Sequence, residues 1–480
     1  MTQGLQVPSH IFKSYDIRGV VDSEITESIA ELIGAAAVET LGAKRLAVGR
    51  DMREHSPRLE AALIRGITAA GSAVISVGQC STPMSYFAAA TLDVDGAIMV
   101  TASHNPGCDN GFKFSKRGGQ PMGAGSGLDR VRELVISGEA ANLLSAQGQG
   151  RVEQVNLLDS WCAHLKQYLH DVRPMKIVFD CGNGVIGPIL HHLLGQVDPA
   201  GKIDAICLFD EPDGTFPWHP ADPLKLVNLR HLQGAVLASG GDFGVAFDGD
   251  GDRLAFVDEK ATFISCDLMT ALFARNILSK PQNHGKKVLY DLRSSLVAKE
   301  EIEAAGGIAQ MCRVGHSHVK AAMRGMGDGS VLDPSLPGEA IFAGELSGHF
   351  YFKDCFTIDT AERTLLLALK LMSEGAAPLS ERIAPLRRYH HSGEINYRLP
   401  EEASLEGILD RVENKYSGRR VFRLDGVSVQ ADTWWLNVRP SNTEPVLRLT
   451  AESTVSPEAL ATVVSDIERL IVDSGGVRNT

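Results

Sequence analysis

The chain has 480 residues, room for about three domains with two or four also possible, and 44% hydrophobic with 22% charged residues describes ordinary globular protein. A net charge of −12 without any run of Lys and Arg argues against nucleic acid or anionic membrane as partner, and an anionic substrate would need a local basic cluster. Eight scattered cysteines with no C-x-x-C pair, no leader-like N-terminus and no apolar stretch near about 18 residues predict reduced thiols in a cytoplasmic protein that neither spans nor crosses a membrane.

In chain order, residues 12–19 mix aromatic, acidic and basic side chains, Tyr15 and Arg18 among them, and alone predict nothing. Helical patterns over residues 28–41 and 57–70 flank a strand at 45–48, and a polar loop, 49–53, precedes the second helix; such alternation predicts a mostly parallel sheet covered by helices. The apolar strand at 96–100 runs straight into Thr101-Ala102-Ser103-His104-Asn105-Pro106. Sites of parallel sheets gather where such loops leave the strands, and Pro106 keeps Asn105 extended. Ser103 is thus a candidate nucleophile or phosphate carrier, although a loop serine more commonly satisfies backbone groups and no G-x-S-x-G elbow is present. Lys113 falls in the glycine-rich stretch 107–127, where a lone lysine is ordinarily a solvated charge.

A boundary is expected near residues 145–150. Beyond it come a strand at 176–180, a tight turn at 181–184, a helix around 189–194, a strand at 205–209 and a Pro-rich loop. The stretch Asp248-Gly249-Asp250-Gly251-Asp252-Arg253 then follows the apolar run 245–247. In extended chain, residues i, i+2 and i+4 share a face, and glycine lets the backbone curl until three carboxylates face one cation. Magnesium, which prefers a hard oxygen shell, suits that arc. Two readings compete. One is an acidic surface turn. The other is an EF-hand calcium loop, because Asp248 as position 1 puts Asp250 at 3, Asp252 at 5 and Glu259 at 12; Arg253 in place of the turning glycine, and β-like flanks, weigh against it.

The third segment carries strands around 287–293 and 339–343 and the pair His316 and His318, for which substrate contact or structure is preferred to metal binding. Its last strand feeds Gly344-Glu345-Leu346-Ser347-Gly348-His349. Three times, at Ser103, Asp248 and Glu345, an apolar strand ends in a polar glycine-bearing loop, a faint repeat. After a boundary near 374–378 or slightly beyond, strands at 394–399 and 434–438 and helices at 404–416 and 457–472 predict a small α+β domain. Within it, Arg439-Pro440-Ser441-Asn442-Thr443-Glu444 reads either as a polar turn or as a phosphate cup of guanidinium, hydroxyl and amide donors.

With these four loops in order along the whole chain, the sequence resembles the α-D-phosphohexomutases, most closely the bacterial phosphomannomutase/phosphoglucomutase branch. The resemblance implies an α/β protein of three similar mixed-sheet α/β domains, 1–150, 151–260 and 261–384, plus a smaller α+β C-terminal domain, 385–480, in a heart-shaped arrangement around a central cleft. It implies that Ser103 carries a phosphoryl group and that one Mg²⁺ per chain is held by Ser103, Asp248, Asp250 and Asp252. Phosphate would move between C1 and C6 of a hexose through a hexose 1,6-bisphosphate, both intermediate and activator. Glu345, Ser347 and His349 would meet the sugar; Arg439, Ser441, Asn442 and Thr443 would hold the non-transferring phosphate. Tyr15, Arg18, His104, Asn105, Lys113, Arg253, Arg293 and His316 would line the site, with Lys113 and His316 the candidates for proton transfer. Leu346, where glucose and mannose enzymes of the family have Met and glucosamine enzymes Gln, favours glucose or mannose phosphates. Arg293, where relatives often have Lys, and His55 also depart from the pattern. The expected partners are sugar phosphates, with no nucleic acid or membrane, in a monomer or weak dimer. The alternatives kept open are a phosphoglucosamine mutase, a magnesium-dependent sugar phosphatase and a calcium-binding protein.

Overall fold

A computed structural model of the chain describes residues 6–144, 150–326, 329–400, 402–441 and 446–479. The chain forms two compact units, Met1–Ser265 with Ser347–Glu381, and Cys266–Leu346 with Arg382–Thr480.

In the first unit, strands β1 (Asp16–Val20), β2 (Arg45–Arg50), β3 (Ala73–Gln79), β4 (Gly96–Val100), β5 (Asp109–Lys116), β6 (Gln120–Pro121) and β7 (Val152–Gln154) make one sheet in the order β1-β5-β4-β2-β3-β7, with β6 beside β5. The centre is parallel, as the alternating pattern predicts, but β5 runs antiparallel to both β4 and β1, so the sheet is mixed. Helices Glu27–Leu41 and Ser56–Ala69 cover one side. The first starts where Thr26 accepts a hydrogen bond from the Ile29 amide and stops at Gly42 in the left-handed region. Ile33, Leu63, Ile67, Ile98 and Phe112 are fully buried between helices and sheet, and truncating one such side chain to Ala costs about 2–5 kcal/mol.

Lys113 lies on strand β5, where a glycine-rich loop was expected. The glycine that suggested a loop has a different cause: a Cβ on Gly111 would lie 2.0 Å from the Ile17 carbonyl oxygen, so only glycine lets β1 pair so closely.

The second sheet contains β8 (Met175–Asp180), β9 (Ile203–Leu208), β10 (Phe243–Phe247), β11 (Leu254–Asp258) and β12 (Phe263–Ile264), in the order β12-β11-β10-β8-β9. Strands β8, β9 and β10 are parallel, and β10 and β11 form an antiparallel hairpin whose connection is the Asp248–Arg253 stretch. A short antiparallel pair, Phe350–Phe352 with Ile358–Asp359, and the buried helix Ala361–Ser373 complete this unit.

The second unit holds the parallel strands β13 (Lys287–Asp291), β14 (Ile308–Cys312) and β15 (Ala340–Gly344), in the order β14-β13-β15. It also holds a six-stranded antiparallel sheet, ordered Arg420–Phe422, Val427–Gln430, Trp434–Pro440, Val446–Ser453, His390–Arg398, Val477–Arg478. One face of that sheet, with Tyr397, Leu436, Val438, Leu447 and Leu449, is packed under helices Leu405–Lys415 and Pro457–Val472. The other face carries the residues between them, among them Glu394, Arg439 and Arg448. No helix among the described residues is long and apolar enough to cross a membrane.

Candidate active site

Strand β4 delivers Ser103 fully buried and in the left-handed region, φ 53°, a conformation that costs a non-glycine residue about 1–3 kcal/mol. The surroundings enforce it. The Ser103 amide donates to Thr101 Oγ1 at 2.9 Å, and Arg53, itself fully buried, donates to the carbonyl oxygens of Ser103 (2.9 Å), Asn105 (2.7 Å), Pro106 (2.5 Å) and Asp109 (2.9 Å). Asp51 accepts from Arg53 Nε at 3.2 Å, and Phe216 lies 5.2 Å from the guanidinium carbon. Arg18 fixes the far side of the loop, donating to Asn105 Oδ1 at 2.7 Å and to the Ala102 carbonyl at 3.2 Å, and is oriented by Asp16 at 2.8 Å.

Ser103 Oγ donates to Asp248 Oδ2 at 2.8 Å, and His104 Nδ1 lies 3.1 Å from the same hydroxyl. Burial, then the charges of Arg253 and Arg18, hold the His104 imidazole well below its usual range, so the ring is neutral. The acidic loop is wrapped around Asp248 Oδ1, which accepts from the amides of Gly251 (3.0 Å), Asp252 (3.1 Å) and Arg253 (3.1 Å). Oxygens of Asp248, Asp250 and Asp252 converge within 4.8 Å of one another, all buried. Lys113 Nζ reaches Asp250 Oδ2 at 2.7 Å and Asp252 Oδ2 at 2.6 Å, and Thr82 Oγ1 donates to Asp250 Oδ2 at 2.6 Å. Burial alone would depress Lys113, but Asp250 and Asp252 more than offset it and hold the amine above the ordinary lysine range. The solvated loop lysine is therefore corrected to a buried counter-ion.

Oδ1 of Asp250 and of Asp252 are buried and accept no hydrogen bond among the described residues. Carboxylate oxygens that converge and keep acceptor capacity unspent, in a site with no soft donor, fit a hard divalent cation such as Mg²⁺. The EF-hand reading does not survive: strands β10 and β11 flank the loop, and Glu259, its twelfth position, accepts from the amide and hydroxyl of Ser380. Arg253 Nε donates to His349 Nε2 at 3.2 Å, that nitrogen lies 3.4 Å from Asp252 Oδ1, and Ser347 Oγ lies 2.9 Å from His349 Nδ1. Ser347 and His349 thus share the first unit with Ser103 and the three aspartates, while Tyr15 is half-buried just ahead of β1.

Glu345 belongs to the second unit, where its Oε1 accepts from the Gly315 amide at 2.8 Å, next to His316 at the start of helix His316–Met323. Arg293 donates to Asp291 through Nη2 (2.7 Å) and Nε (3.3 Å). Glu394 receives three guanidinium groups: Arg439 at 2.6 Å, Arg448 at 2.8 Å and Arg293 at 3.4 Å. Burial would raise the Glu394 carboxyl, but Arg293, Arg439 and Arg448 pull it down to about 2. Ser441 is half-buried just after strand Trp434–Pro440; Asn442 and Thr443 lie outside the described residues.

The sequence reading missed Arg53, Thr82, Glu394 and Arg448. Arg53 sat in a loop noted only as polar, and a lone chain gives no sign that an arginine will be buried. Glu394 and Arg448 had a faint signal, the alternation of polar with apolar residues along both strands.

A serine and a carboxylate trio drawn together from positions 145 apart, with lysine and arginine around them, form a site whose chemistry suits phosphoryl transfer. Family models for the phosphoglucomutase/phosphomannomutase alpha/beta/alpha domains I, II and III match residues 9–135, 159–261 and 265–389, and the model for the C-terminal domain of the same family matches 394–470. The chain belongs to the phosphoglucomutase/phosphomannomutase family, whose members are isomerases acting by phosphotransfer. It is 36% identical to a phosphomannomutase of Salmonella typhimurium over 92% of this chain and 94% of that one, and 35% identical to a phosphoglucomutase of Neisseria meningitidis over 92% and 93%. A crystal structure of a phosphoglucomutase/phosphomannomutase family protein from Burkholderia thailandensis superposes with a TM-score of 0.86 at 32% identity, covering 99% of each chain.

Proposed function

We propose that the chain interconverts the 1- and 6-phosphates of mannose, glucose or both, by way of phosphorylated Ser103 and a hexose 1,6-bisphosphate. The observation that carries the reading is the 2.8 Å contact of Ser103 Oγ with Asp248. The contact puts a hydroxyl beside a carboxylate cluster whose chemistry fits one Mg²⁺, which Asp248, Asp250 and Asp252 would hold together with the phosphorylated Ser103. When bound, the ion would neutralise negative charge on the transferring phosphoryl group. The four-part division near residues 150, 260 and 384 belongs to the same reading.

This chain's own residues supply the rest. Arg53 and Arg18 fix the Ser103 loop, so the ester is presented in one orientation. Lys113 balances part of the aspartate charge and, held protonated, is fitted to give a proton to the serine oxygen as phosphorus leaves it. His104, held neutral, and His316 are fitted to accept one from the sugar hydroxyl. Glu345, Ser347 and His349 would read the sugar hydroxyls; Arg293, Arg439, Arg448 and the 441–443 stretch would hold the phosphate that is not in transfer. The phosphoryl group passes from Ser103 Oγ to the free sugar hydroxyl, and the bisphosphate, after turning end for end, returns its other phosphate to Ser103.

The test is a coupled assay with mannose 1-phosphate, glucose 1-phosphate and glucosamine 1-phosphate, primed with bisphosphate. Turnover of the first two, absent in Ser103→Ala, is expected. Faster turnover of the glucosamine phosphate, or stoichiometric release of inorganic phosphate, would replace the reading with an amino-sugar mutase or a phosphatase.

A further inference from the structure

Arg439 and Arg448 are directly opposed across neighbouring strands, the arrangement in which like charges destabilise a sheet. Glu394 lies on the next strand, two residues along from Asn396, which is the partner of Arg448 in register. Its carboxylate takes Arg439 Nη2 on Oε2 and Arg448 Nη1 on Oε1, and Arg293 Nη1 comes to Oε2 from the end of β13. The side chains of Arg439 and Arg293 are only 2% and 6% exposed, whereas that of Glu394 is 20% exposed. Arg448 is 18% exposed, so the carboxylate and Arg448 together form the solvent-facing edge of the cluster, and an anion coming from solvent meets them before it reaches Arg439 or Arg293.

Buried arginines normally spend their donors. Here Arg293 gives Nε and Nη2 to Asp291, yet Arg439 Nε is buried and makes no hydrogen bond among the described residues. The cluster thus holds more donor capacity than its one shared carboxylate uses. Asp425 is a further acidic neighbour of Arg439, and Glu345 of Arg293, so the resting cluster is close to charge balance.

We infer that Glu394 is an internal anion that occupies the guanidinium donors and must be displaced before a ligand phosphate can take them. It is a positioning residue that sets how tightly that phosphate is held. The inference rests on the proposed function only for its consequence: a bisphosphate intermediate that has to let go and turn needs a weak hold, which a built-in competitor supplies. Competition lowers apparent affinity by the fraction of time the donors are free.

The test measures binding of inorganic phosphate by calorimetry in EDTA, without catalysis, to wild type, Glu394→Gln, Glu394→Asp and Arg439→Met. Glu394→Gln is expected to bind phosphate about tenfold more tightly, Glu394→Asp close to wild type, and Arg439→Met hardly at all. In the mutase assay Glu394→Gln should lower KM and kcat together, because release slows. A brace that merely arranges the arginines predicts the opposite: weaker phosphate binding and a raised KM. Equal or weaker binding by Glu394→Gln, or unchanged binding by Arg439→Met, overturns the inference. Glu394→Ser is the second variant, and failure of both uncharged variants to fold would make Glu394 a structural brace. Because the binding arm needs no turnover, a wild type that binds phosphate but has no mutase activity refutes the proposed function and leaves this inference standing.

Discussion

Arg53 Nη2 donates to the carbonyl oxygen of Ser103 at 2.9 Å, and the same guanidinium holds three more carbonyls of the segment that follows. A side chain distant in sequence and fully buried thus fixes a strained serine. Arg53→Met should leave those oxygens unpaired in the interior, lowering kcat by about 100-fold with little change in KM, and stability by about 3 kcal/mol. Steady-state kinetics and urea unfolding check both, and an active variant would show that the loop holds its shape unaided.

Gly249 is the second element of that fit. A Cβ there would lie 2.6 Å from the Ser103 carbonyl oxygen, a backbone atom that cannot swing aside. Gly249→Ala should therefore separate the aspartate loop from the serine and reduce activity by more than about 100-fold. Gly234, in helix Arg230–Ser239, meets nothing within 4 Å, so Gly234→Ala should keep activity and gain up to about 1 kcal/mol. Equal behaviour of the two variants would contradict the packing argument.

Lys113 is the only cation in hydrogen-bond contact with the aspartate trio among the described residues. Lys113→Met strands two buried carboxylates, a loss on the order of 3–5 kcal/mol. In EDTA the variant should melt well below wild type, and added Mg²⁺ should raise its melting temperature by more than it raises that of wild type. Thermal melts with and without the ion decide; a wild-type melt in EDTA would mean the lysine carries little of the balance.

Much of this was legible in the chain itself. Period-two and helical patterns gave the central strands that carry the site loops, β2, β4, β8, β10, β13 and β15, and the helices Glu27–Leu41, Ser56–Ala69, Leu405–Lys415 and Pro457–Val472, while most other helices went unread; four loops gave the family. What escaped has physical reasons. Strand β5 was hidden because Gly111 is there for close pairing with β1, which a lone chain presents as a loop signal. Arg53 and Glu394 were hidden because their roles come from partners on other elements. The spacing of Asp248, Asp250 and Asp252 did announce their convergence, whereas the EF-hand match at Glu259 was coincidence, undone by a hairpin that sends that carboxylate to Ser380.

The Glu394 carboxyl, held at about 2 against an ordinary 4.5, stabilises the folded chain above pH 4.5 and loses that contribution as the pH falls toward 2. Between those limits wild type should lose on the order of 2–3 kcal/mol more stability than Glu394→Gln. Urea midpoints across an acid series provide the comparison, and parallel curves would remove the triple-arginine contact as an energetic feature.

The most direct measurement is peptide mapping of the protein after incubation with glucose 1,6-bisphosphate and Mg²⁺. A single phosphoryl group on Ser103, transferred to hexose monophosphate when that is added, is the predicted result. An unmodified Ser103 in a protein that still interconverts hexose phosphates would contradict the account.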